Sequence, residues 1–280
     1  MPPRIPLPAE PLQLSGLEDW VVRHWPGGDP IGLVFCGADE GSNLKALAHL
    51  SDKGIIRPFL LGNRKKIMAE MRLHQIELPG AELIHSEDPG HCVQAATELL
   101  LSGQAHLLMR GRILMHDFLK YLLGNPRRAE MIPKGSLLTH VGVFENTRLP
   151  RVFFVSDGGV VLKPDLNQKV KIIENSIRAA RLFGVIQPRI ALLAAIETVD
   201  SGMPSSLEDA IISKMADRGQ IKNAFVDGPL SFDAALNPEA ADGKSVHGPV
   251  AGRADILIVD KIEVGNAIYK ALVIFGETLA

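Results

Sequence analysis

Three short segments of the chain place an acidic residue at the end of an apolar run, with glycine close behind it. They are FFVSDGG at 153–159, AFVDGPLSFDAAL at 224–236 and DILIVDKIEVGN at 255–266. A carboxylate at such a place can orient a reacting group or accept a proton, and glycine lets backbone N–H groups approach a ligand closely. Each acid could instead cap a helix. Because the three segments share one arrangement, we interpret them as a functional rim that contains Asp157 and Asp227.

The third segment also predicts a place for an anion. Residues 256–259 form a short apolar run rich in β-branched residues, and Val264 and Ile268 then lie four residues apart, as on one face of a helix. The first backbone N–H groups of a helix have no partner within the helix, so they favour negatively charged ligands. The sequence therefore predicts an anion-binding helix start at Gly265 and Asn266.

Two further pairs of residues place polar groups beside apolar runs. In LLMRGRILMHDFLKYLL (107–123), Arg110 and Gly111 follow a predicted strand, and a planar guanidinium group suits phosphate or carboxylate. The alternative is an arginine whose stem covers apolar surface beside a turn glycine. Thr139 and His140 lie inside the apolar run LLTHVGVF, where polar groups need partners. The alternative there is a core histidine with its hydrogen bonds satisfied.

The elements that must position these residues alternate along the chain. Apolar runs predict strands at 31–36, 57–61, 82–85, 107–109, 137–144, 152–156, 190–195, 224–226 and 256–259. Helical periodicity predicts helices at 43–53, 64–73, 93–101, 114–123, 166–183, 207–217 and 264–275. Strands that alternate with helices favour parallel βαβ units, so the predicted fold class is α/β. Ligands in such folds collect at the carboxyl ends of the strands.

A polar stretch at 124–135 breaks the periodicity and predicts a boundary between two α/β lobes. The first lobe takes residues 1–135, of which 1–27 are partly tail-like because the N-terminus is rich in proline. The second lobe takes residues 136–271, and we expect the C-terminal residues 272–280 to return to the first lobe. A cleft between two lobes is a common place for a long ligand.

The composition argues against several classes of protein. The 30 lysine and arginine residues nearly balance the 32 aspartate and glutamate residues, which argues against nucleic-acid binding through a basic face. Cys36 and Cys92 are too few for a disulfide framework, so a reducing cytoplasm fits the chain. No apolar run reaches the roughly 18 residues of a membrane span, and the N-terminus does not read as a signal peptide. We therefore expect a soluble, cytoplasmic protein without nucleic-acid or membrane partners.

Nucleotide-binding and metal-binding motifs find little support. PEAADGKS at 238–245 ends like a phosphate-binding P-loop, but Pro238 stands where the first glycine belongs. No GxGxxG follows the first strand, no GxSxG is present, and the nine histidines show no HExxH spacing. Hydrolysis of nucleoside triphosphates, dinucleotide binding and zinc hydrolysis lose support, and we expect no metal site.

Taken together, five motifs resemble the phosphate acetyl/butyryltransferase family, and its butyryltransferase-like branch in particular. They are LLMRG, LLTHVGVF, VSDGGVVLKPDL, KMADRGQIKNAFVDGPLSFDAAL and VAGRADILIVDKIEVGNAIYKAL, in this order over residues 28–272. The resemblance implies a two-lobe, three-layer fold like that of isocitrate and isopropylmalate dehydrogenases, a homodimer, and a site in the cleft. It also implies that acyl-CoA and phosphate give acyl phosphate and CoA by direct transfer of a short acyl group, acetyl or butyryl. Coenzyme A is then a substrate, and no permanently bound cofactor is expected.

The same resemblance implies roles for individual residues. Those expected to polarise or orient the acyl group, to orient the thiol or to act as base are Thr139, His140, Asp157 and Asp227. Those expected to contact phosphate, or the phosphates of CoA, are Arg110, Gly111, Gly228, Arg253, Gly265 and Asn266. Two anionic reactants held side by side need such positive groups and N–H donors, because they would otherwise repel each other.

The chain also departs from the family pattern. The family usually has lysine where Arg110 stands and serine where Thr139 stands. Members generally continue past the position of Ala280 with a strand and a Ser-Arg segment that supplies an arginine to the reaction; Arg110, Arg112 or Arg253 could replace it. Two interpretations stay open: an active acyltransferase, or an impaired or non-catalytic relative that binds CoA or acyl phosphate. A third keeps the fold with the chemistry of metal-dependent dehydrogenases, for which we find no nicotinamide-binding segment.

Overall fold

The computed structural model describes residues 6–276 and 278–280. The fold is α/β, with one parallel and one mixed sheet. The chain forms two compact units: unit 1 contains Val21–Ser136, and unit 2 contains Pro6–Trp20 together with Leu137–Ala280. Each unit has its own sheet and its own hydrophobic core.

Unit 1 is built around a parallel sheet in the order β3-β2-β1-β4. Its strands are β1 (Ile31–Cys36), β2 (Ile56–Gly62), β3 (Glu82–His85) and β4 (Leu107–Arg110). Its helices are the end of α1 (Leu14–His24), α2 (Gly41–Asp52), α3 (Arg64–Leu73), α4 (Pro89–Leu101), α5 (Met115–Leu123) and α6 (Arg128–Met131). The chain leaves β1 towards β2 and β3 and returns on the other side of β1 as β4. The carboxyl ends of β1 and β4 therefore flank a topological switch point, where α/β proteins bind ligands.

The strands of unit 1 have apolar sequences because helices cover both faces of the sheet. Phe35 packs into a cluster with residues of α2 and α3, whereas its neighbour Val34 packs into a second cluster with residues of α4 and α5. At the carboxyl end of the sheet, Asn63 caps α3 by accepting a hydrogen bond from Lys66 N, and Asp88 caps α4. These caps fix how the chain turns from each strand into the next helix.

Unit 2 is built around a mixed sheet in the order β10-β5-β6-β9-β7-β8. Its strands are β5 (Gly142–Asn146), β6 (Leu149–Ser156), β7 (Arg189–Leu193), β8 (Phe225–Leu230), β9 (Ile256–Ile258) and β10 (Thr278–Leu279). Its helices are α7 (Leu166–Leu182), α8 (Pro204–Asp217), α9 (Phe232–Leu236), α10 (Pro238–Gly243) and α11 (Ile262–Phe275). Strands β6, β9, β7 and β8 run parallel, whereas β5 is antiparallel to β6 and to β10. The carboxyl ends of the four parallel strands therefore share one edge.

The core of unit 2 has two layers because successive side chains of a strand point to opposite faces of the sheet. Phe154 of β6 lies in a cluster with residues of α7 and α8, and its neighbour Phe153 lies in a second cluster with residues of α9 and α11. In the second layer Phe144 stacks on Phe153 and meets Tyr269 of α11 edge to face. This packing holds α11 against the β5–β6 hairpin.

The strand predicted at 137–144 is wrong in its first half, since β5 begins at Gly142. The preceding backbone is hydrogen-bonded to side chains instead of to a neighbouring strand. Asn175 donates to the carbonyl of Leu137, and Ser156 Oγ donates to the carbonyl of His140. The apolar pattern that resembles a longer strand therefore belongs to a segment that side chains from other elements hold in place.

The prediction that residues 272–280 return to the first lobe is also wrong. The segment begins with the last four residues of α11, Leu272–Phe275, and continues to β10, which pairs with β5, so it stays in unit 2. The tail predicted at 1–27 contains the helix α1, and residues 6–20 belong to unit 2. Ser15 donates through its backbone N and its Oγ to the carboxylate of Glu145, which anchors this segment to β5. Residues 1–5 of the predicted tail lie outside the described residues.

Within residues 6–276 and 278–280, no helix combines the length and the apolar character that a membrane crossing requires. Across the same residues, no group of three or more His, Cys, Asp or Glu side chains is arranged to hold a metal ion.

Candidate functional site

The end of β6 forms a tight turn around one carboxylate. Asp157 is 2% exposed and accepts three backbone hydrogen bonds of 2.8 Å, from His140 N, Gly159 N and Val160 N. The carboxylate therefore orders residues 157–160, which we call the β6 turn, and ties them to the segment before β5. Its lone pairs serve the backbone, so it acts on the position of neighbouring groups.

Replacing Asp157 by asparagine is expected to lower the free energy of unfolding of unit 2 by about 1–3 kcal/mol. The amide has nearly the same shape, but its NH₂ group must face one of the backbone N–H groups that the carboxylate accepts from. Chemical denaturation of the D157N protein would measure the loss. An unchanged unfolding midpoint would contradict the role of the carboxylate in ordering the turn.

The β6 turn lies directly against the start of α11. A Cβ atom on Gly265 would come within 2.7 Å of the carbonyl oxygen of Asp157, and one on Gly158 would come within 2.9 Å of the carbonyl carbon of Gly265. Asn266 Nδ2 also donates to the carbonyl of Gly158 at 3.3 Å. Glycine is needed at both positions because any side chain would meet backbone atoms. The structure thus brings together Gly265, Asn266 and Asp157, three of the residues predicted from the sequence.

The start of α11 is only partly open to a ligand. The first N–H of the helix, on Ile262, donates to the carbonyl of Leu162, and those of Val264 and Gly265 point back to the carbonyl of Lys261. The positive end of the helix dipole still lies here, beside the exposed ammonium group of Lys261. An anion at this place would meet the dipole and a lysine.

His140 belongs to the same cluster. Its ring packs on Gly159, where an added Cβ would lie 3.0 Å from the ring, and it meets Tyr269 edge to face at 6.2 Å. Its Nδ1 is buried and has no hydrogen-bond partner in the part of the chain that the structure describes. Most buried polar atoms are hydrogen-bonded, so such an atom calls for a functional explanation. A satisfied core histidine, the alternative weighed from the sequence, does not describe this ring.

Thr139 lies beside this cluster with its hydroxyl oriented by a neighbour. Asn175 Nδ2 donates to Thr139 Oγ1 at 3.0 Å, so the hydroxyl accepts there and keeps its own hydrogen as a donor. The end of β6, the start of α11 and the segment before β5 therefore place Thr139, His140, Asn266 and the glycines of the β6 turn in one region of unit 2.

Asp227 and Gly228 are not part of this region. They lie within β8, which continues to Leu230, and β9 and β7 separate β8 from β6. Three strand spacings of ~4.8 Å place them about 14 Å from the β6 turn. Asp227 accepts a hydrogen bond from Gly228 N, and burial raises the pKa of its carboxyl group. The sequence predicted that this strand ends at residue 226, but β8 continues to Leu230. Asp227 and Gly228 therefore lie within the strand and not in a turn after it.

Arg253 lies at the other edge of the sheet. It precedes β9, whereas the start of α11 follows β9, and its backbone N donates to the carbonyl of Val250. Because β9 lies between them, Arg253 and the start of α11 are at opposite ends of this strand, and Arg253 is on the side of the sheet away from the β6 turn. It is therefore not in a position to replace an arginine at the candidate site.

The predicted residues of unit 1, Arg110 and Gly111, mainly stabilise the local backbone. Arg110 Nη1 donates to the carbonyls of Gly111 at 3.1 Å and Ile113 at 2.5 Å, which holds the connection from β4 to α5. A Cβ on Gly111 would lie 2.2 Å from the carbonyl oxygen of Gly37, so this glycine lets β4 leave close to the end of β1. Arg110 thus uses part of its guanidinium group within its own loop.

A cavity of about 290 Å³ lies at the carboxyl end of the sheet of unit 1. Residues that follow all four strands line it, and its charged lining residues are Lys66, Arg112, Asp39 and Glu87. It lies near the topological switch point, where the fold predicts a ligand site. Lys66 was missed from the sequence. The sequence signal that could have identified Lys66 is its place in the first turn of a helix that begins directly after a strand, in LLGNRKK.

Three comparisons relate this chain to known proteins. Residues 91–280 match the family model described as phosphate acetyl/butaryl transferase. A phosphate butyryltransferase of Clostridium acetobutylicum is 35% identical over 235 residues, which cover 84% of this chain and 77% of that relative. A phosphate acetyltransferase of Thermotoga maritima is 34% identical over 245 residues, which cover 88% and 82%. The crystal structure of a branched-chain phosphotransacylase from Enterococcus faecalis matches with a TM-score of 0.74 and 28% identity over 89% of this chain and 86% of that chain.

Proposed function

Because the chain belongs to the phosphate acetyl/butaryl transferase family, we propose that it transfers a short acyl group, acetyl or butyryl, between coenzyme A and inorganic phosphate. The observation that carries the proposal is the match over residues 91–280, which include the whole of the β6 turn, the His140 segment and the start of α11. The finer fold type, two lobes like those of isocitrate dehydrogenase with the reactants in the cleft, is part of the same proposal.

The cluster around the β6 turn supplies groups that this chemistry needs. An oxygen of phosphate, or the thiolate of CoA, attacks the acyl carbonyl, whose oxygen then gains negative charge. Thr139 Oγ and the unpartnered Nδ1 of His140 are the donors that would stabilise this oxygen, with His140 protonated at Nδ1. The start of α11 and Lys261 would attract the phosphoryl group. Asp157 keeps the turn in place, as its three backbone hydrogen bonds suggest.

The cavity of unit 1 would hold a phosphate-bearing part of the reactants. Lys66 and Arg112 supply positive charge, and Arg112 offers the planar fork that suits phosphate. Of the three arginines that the sequence analysis named as replacements, Arg110, Arg112 and Arg253, this proposal selects Arg112. Gly111 contributes by letting β4 approach β1.

The remaining expectations belong to this proposal too. We expect CoA or acyl-CoA and phosphate or acyl phosphate as the reactants, no permanent cofactor, and no nucleic-acid or membrane partner. We also expect a cytoplasmic homodimer. The nearly balanced charge of the chain and its two cysteines, both free and buried, support this view.

The proposal is tested by following CoA-dependent release of phosphate from acetyl phosphate and from butyryl phosphate. Turnover that requires CoA supports the acyltransferase, and the ratio of kcat/KM for the two substrates reports the acyl preference. Binding of CoA without turnover would select the impaired or non-catalytic relative. If the protein shows no turnover and does not bind CoA, both interpretations are contradicted.

Replacing Lys66 by methionine is expected to raise the KM for CoA or for phosphate by about tenfold, since a charge-assisted contact to a phosphate group would be lost. Lys65→Met is the matched control, because Lys65 lies one residue away on α3 and does not line the cavity. Steady-state kinetics with each substrate varied in turn would measure both variants. Equal KM values for the two variants would show that the cavity does not serve the reaction.

A further inference from the structure

A buried lysine joins three elements of unit 2. Lys169, in the first turn of α7, is 1% exposed. Its Nζ lies 2.7 Å from Asp260 Oδ1, 3.0 Å from Glu208 Oε2 and 3.6 Å from Asp209 Oδ1. Glu208 and Asp209 belong to α8, and Asp260 lies in the connection from β9 to α11. One ammonium group therefore links α7, α8 and the segment that leads into α11.

The group of these four residues, the Lys169 cluster, holds more negative than positive charge. Asp209 is 2% exposed, and its Oδ2 has no hydrogen-bond partner among the described residues. Burial raises the pKa of Asp209 to about 7, an effect that Lys169 opposes and that Asp260 and Glu208 reinforce. Burial alone would lower the pKa of Lys169, but the carboxylates outweigh it and the pKa is raised. Lys169 therefore stays charged at neutral pH.

The Lys169 cluster contacts the segment that leads into α11. Asp260 is followed directly by Lys261, the N-cap residue of α11, whose side chain makes no capping hydrogen bond to the described residues. The N–H of Ile262 donates to the carbonyl of Leu162, which lies between the β6 turn and α7. The helix start thus depends on contacts with the segment that α7 anchors, and the Lys169–Asp260 pair is the shortest ion pair across that junction.

We propose that Lys169 is a positioning residue for the acyl transfer: through Asp260 it holds the start of α11 where Gly265 meets the β6 turn. This inference rests on the proposed function, because it takes the start of α11 to contact the reactants. Lys169 is too deeply buried to meet them, so its effect passes through Asp260 to the helix.

A matched pair of substitutions isolates this effect. Asp260→Asn and Glu208→Gln each remove one carboxylate charge from the same Nζ, at 2.7 and 3.0 Å, but only Asp260 leads into α11. D260N is expected to lower kcat/KM by about tenfold or more, because displacement of positioning groups is costly in catalysis. E208Q is expected to stay within about twofold of the unaltered protein. In D260N, hydrogen exchange of the backbone amides at 262–265 is expected to rise by about tenfold.

Lys169→Met shows whether Asp260 acts through the lysine. The K169M/D260N protein should then be no slower than K169M alone, since residues of one network are not additive. Independent, multiplied losses would mean that Asp260 acts by itself and would overturn the proposal. So would similar kinetics and exchange for D260N and E208Q. If the unaltered protein shows no acyl transfer, the proposed function fails, while the exchange at 262–265 still decides the role of Lys169. Because D260N and E208Q keep the lysine, the test stands even where K169M does not fold.

Discussion

Replacing Gly265 by alanine is expected to reduce kcat by about 10²-fold and to destabilise unit 2 by about 1–3 kcal/mol. The new methyl group would lie 2.7 Å from the carbonyl oxygen of Asp157 and 2.8 Å from Gly158 Cα. Both are backbone atoms, so neither can move aside by a change of rotamer. The start of α11 and the β6 turn must separate, and the groups that would hold the phosphoryl group and the acyl oxygen separate with them.

Gly243→Ala is the matched control for this substitution. Gly243 ends α10, and an added Cβ there meets nothing within 4 Å among the described residues. Alanine favours helix over glycine, so G243A is expected to keep full activity and to be as stable as the unaltered protein or slightly more so. Steady-state kinetics and thermal unfolding of both variants measure the difference. Full activity in G265A would show that the contact between turn and helix does not serve the reaction.

The second large effect is expected for His140→Phe, which should lower the activity without lowering the stability of the protein. Phenylalanine keeps a flat ring against Gly159 and Tyr269, while both ring nitrogens are lost. The loss of a donor that acts mainly in the transition state lowers kcat by about 10²–10³-fold. Because the buried Nδ1 has no partner among the described residues, its removal costs no hydrogen bond, and H140F should unfold at the same temperature as the unaltered protein or higher.

Kinetics and calorimetry of H140F check this expectation together. His91→Phe is the control, because the side chain of His91 is 79% exposed on α4 and takes no part in the cluster. It should leave kcat unchanged. Full activity in H140F would show that the unpartnered nitrogen has no role in the reaction. A large loss of stability would show that Nδ1 has a hydrogen-bond partner in solution.

Elements with a clear periodicity could be predicted from the sequence. The bounds of β1 and α3 agree with the predictions to the residue, because an apolar strand with turn residues behind it and a capped helix are local features. The segment at 137–144 could not be predicted, because the side chains of Asn175 and Ser156, distant in the chain, decide that its first half is not a strand. The β5–β6 hairpin was not predicted because its two-residue connection, Thr147 and Arg148, lacks the Asn-Gly type of signal that marks a tight turn.

The candidate site was predictable only in part, for the same reason. The glycine-rich turn and the helix start were found because strand–turn–helix junctions have a local signature. Asp227 looked equivalent to Asp157, but the strand order that places it far away is a property of the whole sheet. Lys169 follows helical spacing and resembles a residue on a solvated face; its burial depends on carboxylates from α8 and from the end of β9.

The proposed acyl transfer requires the start of α11, where it meets the β6 turn, to hold the phosphoryl group. Titration of the isotopically labelled protein with inorganic phosphate, followed by backbone amide NMR, tests this requirement. We expect the resonances of Gly158, Gly159, Gly265 and Asn266 to shift together along one binding curve, and we expect G265A to abolish these shifts while G243A retains them. Shifts elsewhere in the chain, with these four amides unchanged at saturating phosphate, would show that the phosphoryl group does not bind at the start of α11.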